Sequence, residues 1–288
     1  MLNRKPAWVK KKFSFDNINV SKVKKLITDS RLHTVCQSAQ CPNIYECFSK
    51  KTATFMLMGN ICTRNCAFCG VTSGKPQPLD KEEPKKVAQA VKEMGLNYVV
   101  LTSVTRDDLE DGGAGHFAET IRAIKDMNPG SRIECLIPDL KGSVKHLETI
   151  LDCDLEVLNH NIETIADNYL KVRPQANYYN SLKILNYAKS YKKNIYTKSG
   201  FMVGLGEAKQ DVKKLLLDLK DNCCDILTIG QYLRPGKKNT GVKKYYRPEE
   251  FKKIEDMAKQ IGFKYVFSGI FVRSSYHAAD VFKTKTGN

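Results

Sequence analysis

The chain has 288 residues, 42% of them apolar, and 47 Lys and Arg against 31 Asp and Glu leave a formal net charge of +16 at pH 7. This length suits one α/β barrel with its own core, and no apolar run approaches the ~20 residues that cross a bilayer. The basic residues fall in short runs spread along the chain, at 10–12, 22–25, 192–193 and 237–244, which speaks against a nucleic-acid groove and for a solvated surface or an acidic protein partner.

Residues 1–6 lack the apolar stretch of a signal peptide. The chain therefore reads as cytoplasmic, with a removed presequence left open. Six of its ten cysteines lie between residues 36 and 69. Clustered cysteines in a long intracellular chain read as metal ligands rather than as a disulfide framework. The first set, Cys36, Cys41 and Cys47, has the spacing CxxxxCxxxxxC. Alone it admits a zinc site completed from elsewhere, or a disulfide pair.

A strand is expected over 54–58, and the next run is Cys62-Thr63-Arg64-Asn65-Cys66-Ala67-Phe68-Cys69. CxxxCxxC puts three thiolates on one tight loop at a strand end. Zinc sites usually pair two short CxxC-type elements, whereas a [4Fe–4S] cluster takes four thiolates. A loop with three leaves one iron open to a small molecule.

Beyond the loop, short apolar runs predict strands over 97–102, 132–137, 155–159, 195–202 and 226–230, as expected of strands covered on both faces. Helical patterns fall between them at 86–94, 116–127, 144–151, 178–190 and 211–221, with Ser143 as N-cap of the third. A helix over 248–261 opens on Pro248, and a last strand follows at 265–267. Polar chemistry collects after the strands: Ser103, Thr105, Arg106, Asp107 and Asp108; Asp139; Asn159, His160, Asn161 and Glu163; Gly200 to Glu207; Gln231 and Tyr232. Parallel barrels carry their active sites at that end. The expected fold is α/β, a partial (β/α)6 TIM-like barrel over 51–245. An N-terminal extension (1–50) and a C-terminal helix, strand and closing element (246–288) flank it.

The CxxxCxxC run, with aromatic Phe68 before its last cysteine, resembles that of the radical S-adenosylmethionine superfamily. So does Gly200-Phe201-Met202-Val203-Gly204-Leu205-Gly206-Glu207, which is similar to the superfamily's GxIxGxxE element on the fifth strand. CxxxxCxxxxxC ahead of CxxxCxxC narrows the resemblance to the lipoyl synthases. The runs Val104-Thr105-Arg106-Asp107-Asp108-Leu109, Asn159-His160-Asn161-Ile162-Glu163-Thr164, Val172-Arg173-Pro174, Lys198-Ser199-Gly200 and Arg273-Ser274-Ser275-Tyr276 match that family too. Matches run from Lys5 to His277.

The resemblance implies two [4Fe–4S] clusters and S-adenosylmethionine. Cys62, Cys66 and Cys69 would hold the first cluster. Cys36, Cys41 and Cys47 would hold an auxiliary one, with a serine of the RSSY element as fourth ligand. That serine is placed at Ser275, although spacing does not separate it from Ser274. A serine oxygen is a poorer ligand than thiolate for a cluster iron, which suits a cluster that must be taken apart. The implied reaction puts two sulfurs from that cluster at C6 and C8 of an octanoyl chain on a carrier lysine. Phe68, Ser103, Thr105, Asn161, Glu163, Arg173, Met202 and Gly204 are the expected S-adenosylmethionine contacts. Expected partners are an octanoylated lipoyl carrier domain (a 2-oxoacid dehydrogenase E2 component or the glycine cleavage H protein), an electron donor such as flavodoxin or ferredoxin, and an iron–sulfur cluster carrier, with no membrane and no nucleic acid.

Some residues stay open at this level. His160 reads as a proton carrier or a structural histidine, and Arg106-Asp107-Asp108 as a ligand contact or an internal ion pair. Arg273 reads as holding the neighbouring loop or a carboxylate, or as a surface salt bridge. Cys135, Cys153, Cys223 and Cys224 read as core residues. Gly70 stands where many relatives carry an acid, and Ile270 where proline is common after Ser-Gly. Two rival readings are a radical methylthiotransferase acting on tRNA and a non-enzymatic metal scaffold.

Overall fold

The computed structural model describes residues 5–10, 18–50, 53–276 and 278–283. Lys11 and Lys12 of the first basic run, and His277, lie outside the described residues. Among the described residues a 3-10 turn at Ala7–Val9 comes first, followed by three α-helices, α1 (Ile18–Asp29), α2 (Val35–Ser38) and α3 (Ile44–Ser49). In α1, Val20, Val23 and Ile27 are buried, the i, i+3, i+7 spacing of one helical face. The strands are β1 (Thr54–Leu57), β2 (Ile61–Cys62), β3 (Thr72–Ser73), β4 (Tyr98–Ser103), β5 (Arg132–Leu136), β6 (Val157–Asn159), β7 (Tyr196–Val203), β8 (Ile226–Gln231) and β9 (Tyr265–Gly269). The later helices are α4 (Glu83–Met94), α5 (Ala114–Met127), α6 (Val144–Leu151), α7 (Tyr169–Val172), α8 (Tyr178–Tyr191), α9 (Lys209–Asp221), α10 (Pro248–Ile261) and α11 (Asp280–Lys283).

Seven strands form one parallel sheet in the order β1-β4-β5-β6-β7-β8-β9. The order follows the chain without reversal. A doubly wound sheet reverses at a switch point; a sheet wound in one direction is that of a barrel, here an open one. The six expected strands are present, and the C-terminal strand β9 continues the sheet by pairing with β8. Ser143 caps α6 as expected, its hydroxyl accepting from His146 N.

Successive strand residues face opposite sides. Leu158, Phe201, Leu227 and Ile229 face outward into the helical layer. The alternate residues face the interior, where one carboxylate ties four strands together. Glu134 on β5 accepts from Tyr98 Oη (2.7 Å), Asn159 Nδ2 (2.9 Å) and Lys198 Nζ (2.9 and 3.0 Å). Both members of the Lys198–Glu134 pair are buried, so each charge depends on the other. Among the described residues no helix is long and apolar enough to cross a membrane.

Candidate active site

The loop from Cys62 to Cys69 begins on β2, whose pairing with β3 closes its base, together with Gly74 N donating to the Cys62 carbonyl at 2.9 Å. Its three cysteines are free and partly buried. Cys62 Sγ accepts from Arg64 N (3.4 Å) and Thr105 N (3.3 Å), and Cys69 Sγ from Val71 N (3.4 Å). Backbone N–H donors aimed at sulfur favour thiolate and tune a bound cluster. Burial raises the Cys66 thiol above its usual range and pushes Cys69 up to about 12. Cluster binding must therefore displace those protons. Among the described residues no three His, Cys, Asp or Glu side chains are grouped to hold a single ion.

The loop is fastened from several sides. Arg64, inside the cysteine motif, has only 6% of its side chain exposed and pairs with two carboxylates. Nε and Nη2 reach Asp107 after β4 (2.7 and 2.9 Å), and Nη1 and Nη2 reach Asp139 after β5 (2.6 and 2.7 Å). These charge-assisted bonds hold the Asp139 carboxyl below its usual range against the opposing effect of burial. Thr63 donates N–H and Oγ1–H to the Thr105 carbonyl (3.0 and 2.9 Å), so Thr105 braces the loop through its backbone. Ala67 N donates to Val172 O (2.9 Å), Thr240 N to Ala67 O (2.9 Å), and Asn239 Nδ2 to Cys69 O (2.7 Å). Phe68 and Met202, both expected to contact the cofactor, share an apolar cluster with Val172, Leu205 and Tyr232.

Facing the loop, Asn161, Glu163 and Arg173 are drawn together after β6. Asn161 Nδ2 donates to Glu163 Oε1 (3.1 Å) and to Ser274 Oγ (2.7 Å). Arg173 Nη1 donates to the Asn161 carbonyl (3.1 Å) and to Tyr169 Oη (3.2 Å). Glu163 adopts a left-handed φ of 67°, and its N–H and C=O pair with Gly200 and Met202 of β7 at 2.9 Å each. Burial raises the Glu163 carboxyl, with the Arg173 charge acting against it. Arg173 also acts electrostatically on Cys66, linking this group to the loop. Ser103 Oγ, Asn161 Oδ1 and Arg173 Nε are buried without a hydrogen-bond partner, as is Asn159 Oδ1. Each such orphan costs roughly 1–3 kcal/mol. Three lie on residues expected to contact S-adenosylmethionine, and Asn161 Oδ1 and Arg173 Nε, on neighbouring residues, suit a ligand with both a donor and an acceptor.

At Gly204 (φ 106°) the space of a side chain is taken by Gln231 and the Lys244 carbonyl. Glu207 braces that turn, accepting from Gly204 N (2.6 Å) and Leu205 N (2.9 Å). The close approach there is by protein, while at Gly200 Thr228, Asn161 and Ser274 crowd in.

The other three cysteines sit beside this loop. Thr34 bridges to Phe55 and caps α2. Cys36 lies on α2, Cys41 follows it with its N–H on the Cys36 carbonyl (3.0 Å), and Cys47 lies on α3. Desolvation pushes the Cys36 thiol up to about 11. A Cβ on Gly70 would stand 3.3 Å from Ala39 O and 3.2 Å from Pro235 Cβ. This tight junction leaves little room for a side chain at Gly70. The C-terminal element reaches the same place: Asn43 Nδ2 donates to Phe271 O (2.7 Å) and Tyr276 Oη to Glu46 Oε1 (2.8 Å). Arg273 Nη1 donates to Val272 O (2.6 Å) and Ile270 O (3.4 Å). Arg273 thus holds its own loop, within electrostatic reach of Cys41 and Glu163.

The Radical SAM superfamily model matches residues 56–219. A lipoyl synthase of Caldicellulosiruptor saccharolyticus is 52% identical over 283 residues, covering 98% of this chain and 99% of its own. One of Caldanaerobacter subterraneus subsp. tengcongensis is 51% identical, covering 96% of this chain and 97% of its own. The chain belongs to the lipoyl synthase family. It is thus a radical enzyme that uses S-adenosylmethionine and iron–sulfur chemistry, and the methylthiotransferase reading is not favoured. Among solved structures, methylornithine synthase (15% identity, TM-score 0.56, 89% of this chain and 84% of that one) and a maturase of the [FeFe]-hydrogenase (15%, 0.61, 86% and 64%) share the fold.

Several readings left open by the sequence are resolved by geometry in this lipoyl synthase family member. Arg106 pairs with Asp108 through two bonds of 2.8 Å, an internal ion pair, while Asp107 serves Arg64. His160 is buried, with Nδ1 on the Ile137 carbonyl (2.9 Å) and Nε2 on Ser181 Oγ (3.0 Å). Nδ1 therefore carries the hydrogen and Nε2 accepts. Burial holds His160 neutral, lowering its pKa to about 4. The unfolded chain, at about 6.5, binds that proton more tightly, so stability rises with pH between the two values. The apo protein should lose about 3 kcal/mol as pH falls from 6.5 to 4. His160→Gln should flatten that part of the urea-denaturation profile; an unchanged slope would assign the acid sensitivity elsewhere.

Cys135, Cys153 and Cys224 are buried as read, but Cys223 is exposed. It takes a left-handed φ of 61° in the turn that ends α9, and that turn points its side chain outward. Sequence reasoning passed over Arg64 as a site residue, along with Asn239 and the Tyr98–Glu134–Lys198 group. The available signal was a charged side chain inside the cysteine motif, with acids waiting at two strand ends.

Proposed function

We propose that this chain converts an octanoyl group, held on a lysine of a lipoyl carrier domain, into a lipoyl group by inserting sulfur at C6 and C8. The observation that carries the reading is the meeting of two cysteine sets, with Gly70 beside Cys69 packed on Ala39 between Cys36 and Cys41. When bound, S-adenosylmethionine on a first cluster supplies a 5′-deoxyadenosyl radical able to take hydrogen from C6 and C8, and a second cluster supplies the two sulfurs.

Cys62, Cys66 and Cys69 hold the first cluster, three ligands to four irons. The unpartnered Ser103, Asn161 and Arg173 atoms would hold polar groups of S-adenosylmethionine, and Phe68 and Met202 would shield it from water. Thr105 keeps the loop in shape and Gly204 keeps the β7 turn tight. Cys36, Cys41, Cys47 and Ser275 would hold the second cluster, on the N-terminal segment 1–50 and the C-terminal segment 246–288, whose strand β9 extends the sheet. Ser274 Oγ accepts from Asn161 Nδ2, which supports Ser275 as the iron ligand. The excess positive charge favours an acidic carrier domain, such as that of a 2-oxoacid dehydrogenase E2 component or the H protein. The setting is the cytoplasm, with flavodoxin or ferredoxin as donor and a cluster carrier for repair.

The test is anaerobic incubation of the reconstituted protein, bearing about eight irons per chain, with dithionite, S-adenosylmethionine and an octanoyl-lysyl peptide. The expected result is release of 5′-deoxyadenosine together with addition of two sulfurs to the peptide by mass spectrometry. Deoxyadenosine without sulfur insertion would leave only the superfamily assignment.

A further inference from the structure

An open barrel leaves an interior that its strands do not close, and α11 fills one end of it. Tyr196, Ile226, Tyr265 and Phe267 share the inward-facing parity opposite to Phe201, Leu227 and Val266, and they gather around Val281 and Phe282. The Phe282 ring lies 5.7 Å from that of Tyr98, 5.7 Å from that of Tyr196, and 4.8 Å from the Arg132 guanidinium. Those three residues open β4, β7 and β5. The plug therefore sits at the N-terminal end of the sheet, across the Glu134 layer from the cysteine loops.

The same segment is pinned at the opposite end. Gln231 N at the end of β8 donates to Ile270 O (3.4 Å), Gly230 leaves room for the Val272 carbonyl, and Asn161 holds Ser274. Asn43 and Glu46 grip Phe271 and Tyr276 from the N-terminal cysteine segment. Asp280, the first residue of α11, lies four positions after Tyr276 in the chain.

We infer that Val281 and Phe282 are positioning residues for Ser275: by anchoring the chain inside the barrel, they keep the serine oxygen at the second cluster. The inference rests on the reading of Ser275 as a ligand. A serine oxygen is a weak ligand for iron beside thiolate, so its occupancy depends on how tightly the chain holds it near the metal. Confinement raises its effective concentration, and a side chain packed into an apolar cluster supplies confinement without touching iron.

The test uses the full chain with Cys62, Cys66 and Cys69 replaced by Ala, so that only the second cluster contributes iron. Phe282→Ala should speed iron release to a chelator by about tenfold, as expected for lost confinement, and should alter the cluster's EPR signal in the way Ser275→Ala does. Phe282→Leu should restore slow release. Adding Phe282→Ala to Ser275→Ala should accelerate release no further, since the ligand being positioned is already gone. With Cys36, Cys41 and Cys47 replaced instead, Phe282→Ala should leave iron release from the first cluster unchanged. Equal acceleration at both clusters, or additive effects in the double variant, would make α11 a general packing element and overturn the inference. Unchanged release in Ser275→Ala would remove the ligand reading itself. Val281→Ala, which removes less volume, serves the same comparison should Phe282→Ala not fold.

Discussion

Ser275→Ala is expected to leave S-adenosylmethionine cleavage within about threefold of the parent while lowering sulfur insertion by about 100-fold or more, a loss of about 3 kcal/mol in the coupled reaction. On the proposed assignment the two serines of the RSSY element have different roles. Ser274 Oγ accepts from Asn161 Nδ2 at 2.7 Å and crowds Gly200 of β7, so it belongs to the Asn161–Glu163–Arg173 group. Ser274→Ala should therefore raise the concentration of S-adenosylmethionine needed for half-maximal cleavage and lower both products together. Ser275→Cys sharpens the contrast. A thiolate binds iron more firmly than a serine oxygen, so that variant should keep its second cluster yet release sulfur slowly. Deoxyadenosine and the sulfur-bearing peptide, measured in the same anaerobic reaction, separate the cases. Parent-like sulfur insertion by Ser275→Ala would remove it from the site.

How far the sequence reached is explained by the range of the interactions involved. The cysteine motifs were legible because their spacing fixes geometry within a few residues, and α6 because Ser143 and the apolar period mark its limits locally. The parallel strands were legible because burial on both faces leaves a continuous apolar run. Arg64 was not, because its partners lie 43 and 75 residues away. Only the sheet order brings the ends of β4 and β5 to the cysteine loop. The role of α11 was hidden similarly: a four-residue helix has no period to read, and its meaning comes from the inward-facing aromatics of strands far upstream. Cys223 was misread because a left-handed turn, rather than hydrophobicity, decides where its side chain points.

Arg64→Met is expected to strip iron from the first cluster and reduce S-adenosylmethionine cleavage by at least about 100-fold, while sparing the second. The guanidinium carries four hydrogen bonds to two carboxylates from its buried position. Methionine fills the volume but leaves the Asp139 side chain, only 6% exposed, without its counter-charge. Breaking a buried pair in this way costs roughly 3–5 kcal/mol. The loop can escape that cost by moving, and movement takes Cys62 and Cys66 off position. Arg64→Lys keeps the charge but loses the planar fork that serves both acids at once, so its loss should be intermediate. Much of the penalty in Arg64→Met is the stranded carboxylate, and so Asp139→Asn added to it should recover part of the iron content. That non-additivity is the signature of a coupled pair. If the two substitutions simply add, Arg64 and Asp139 do not act as a unit, and the loop is held by its backbone contacts to Thr105 and Val172 instead.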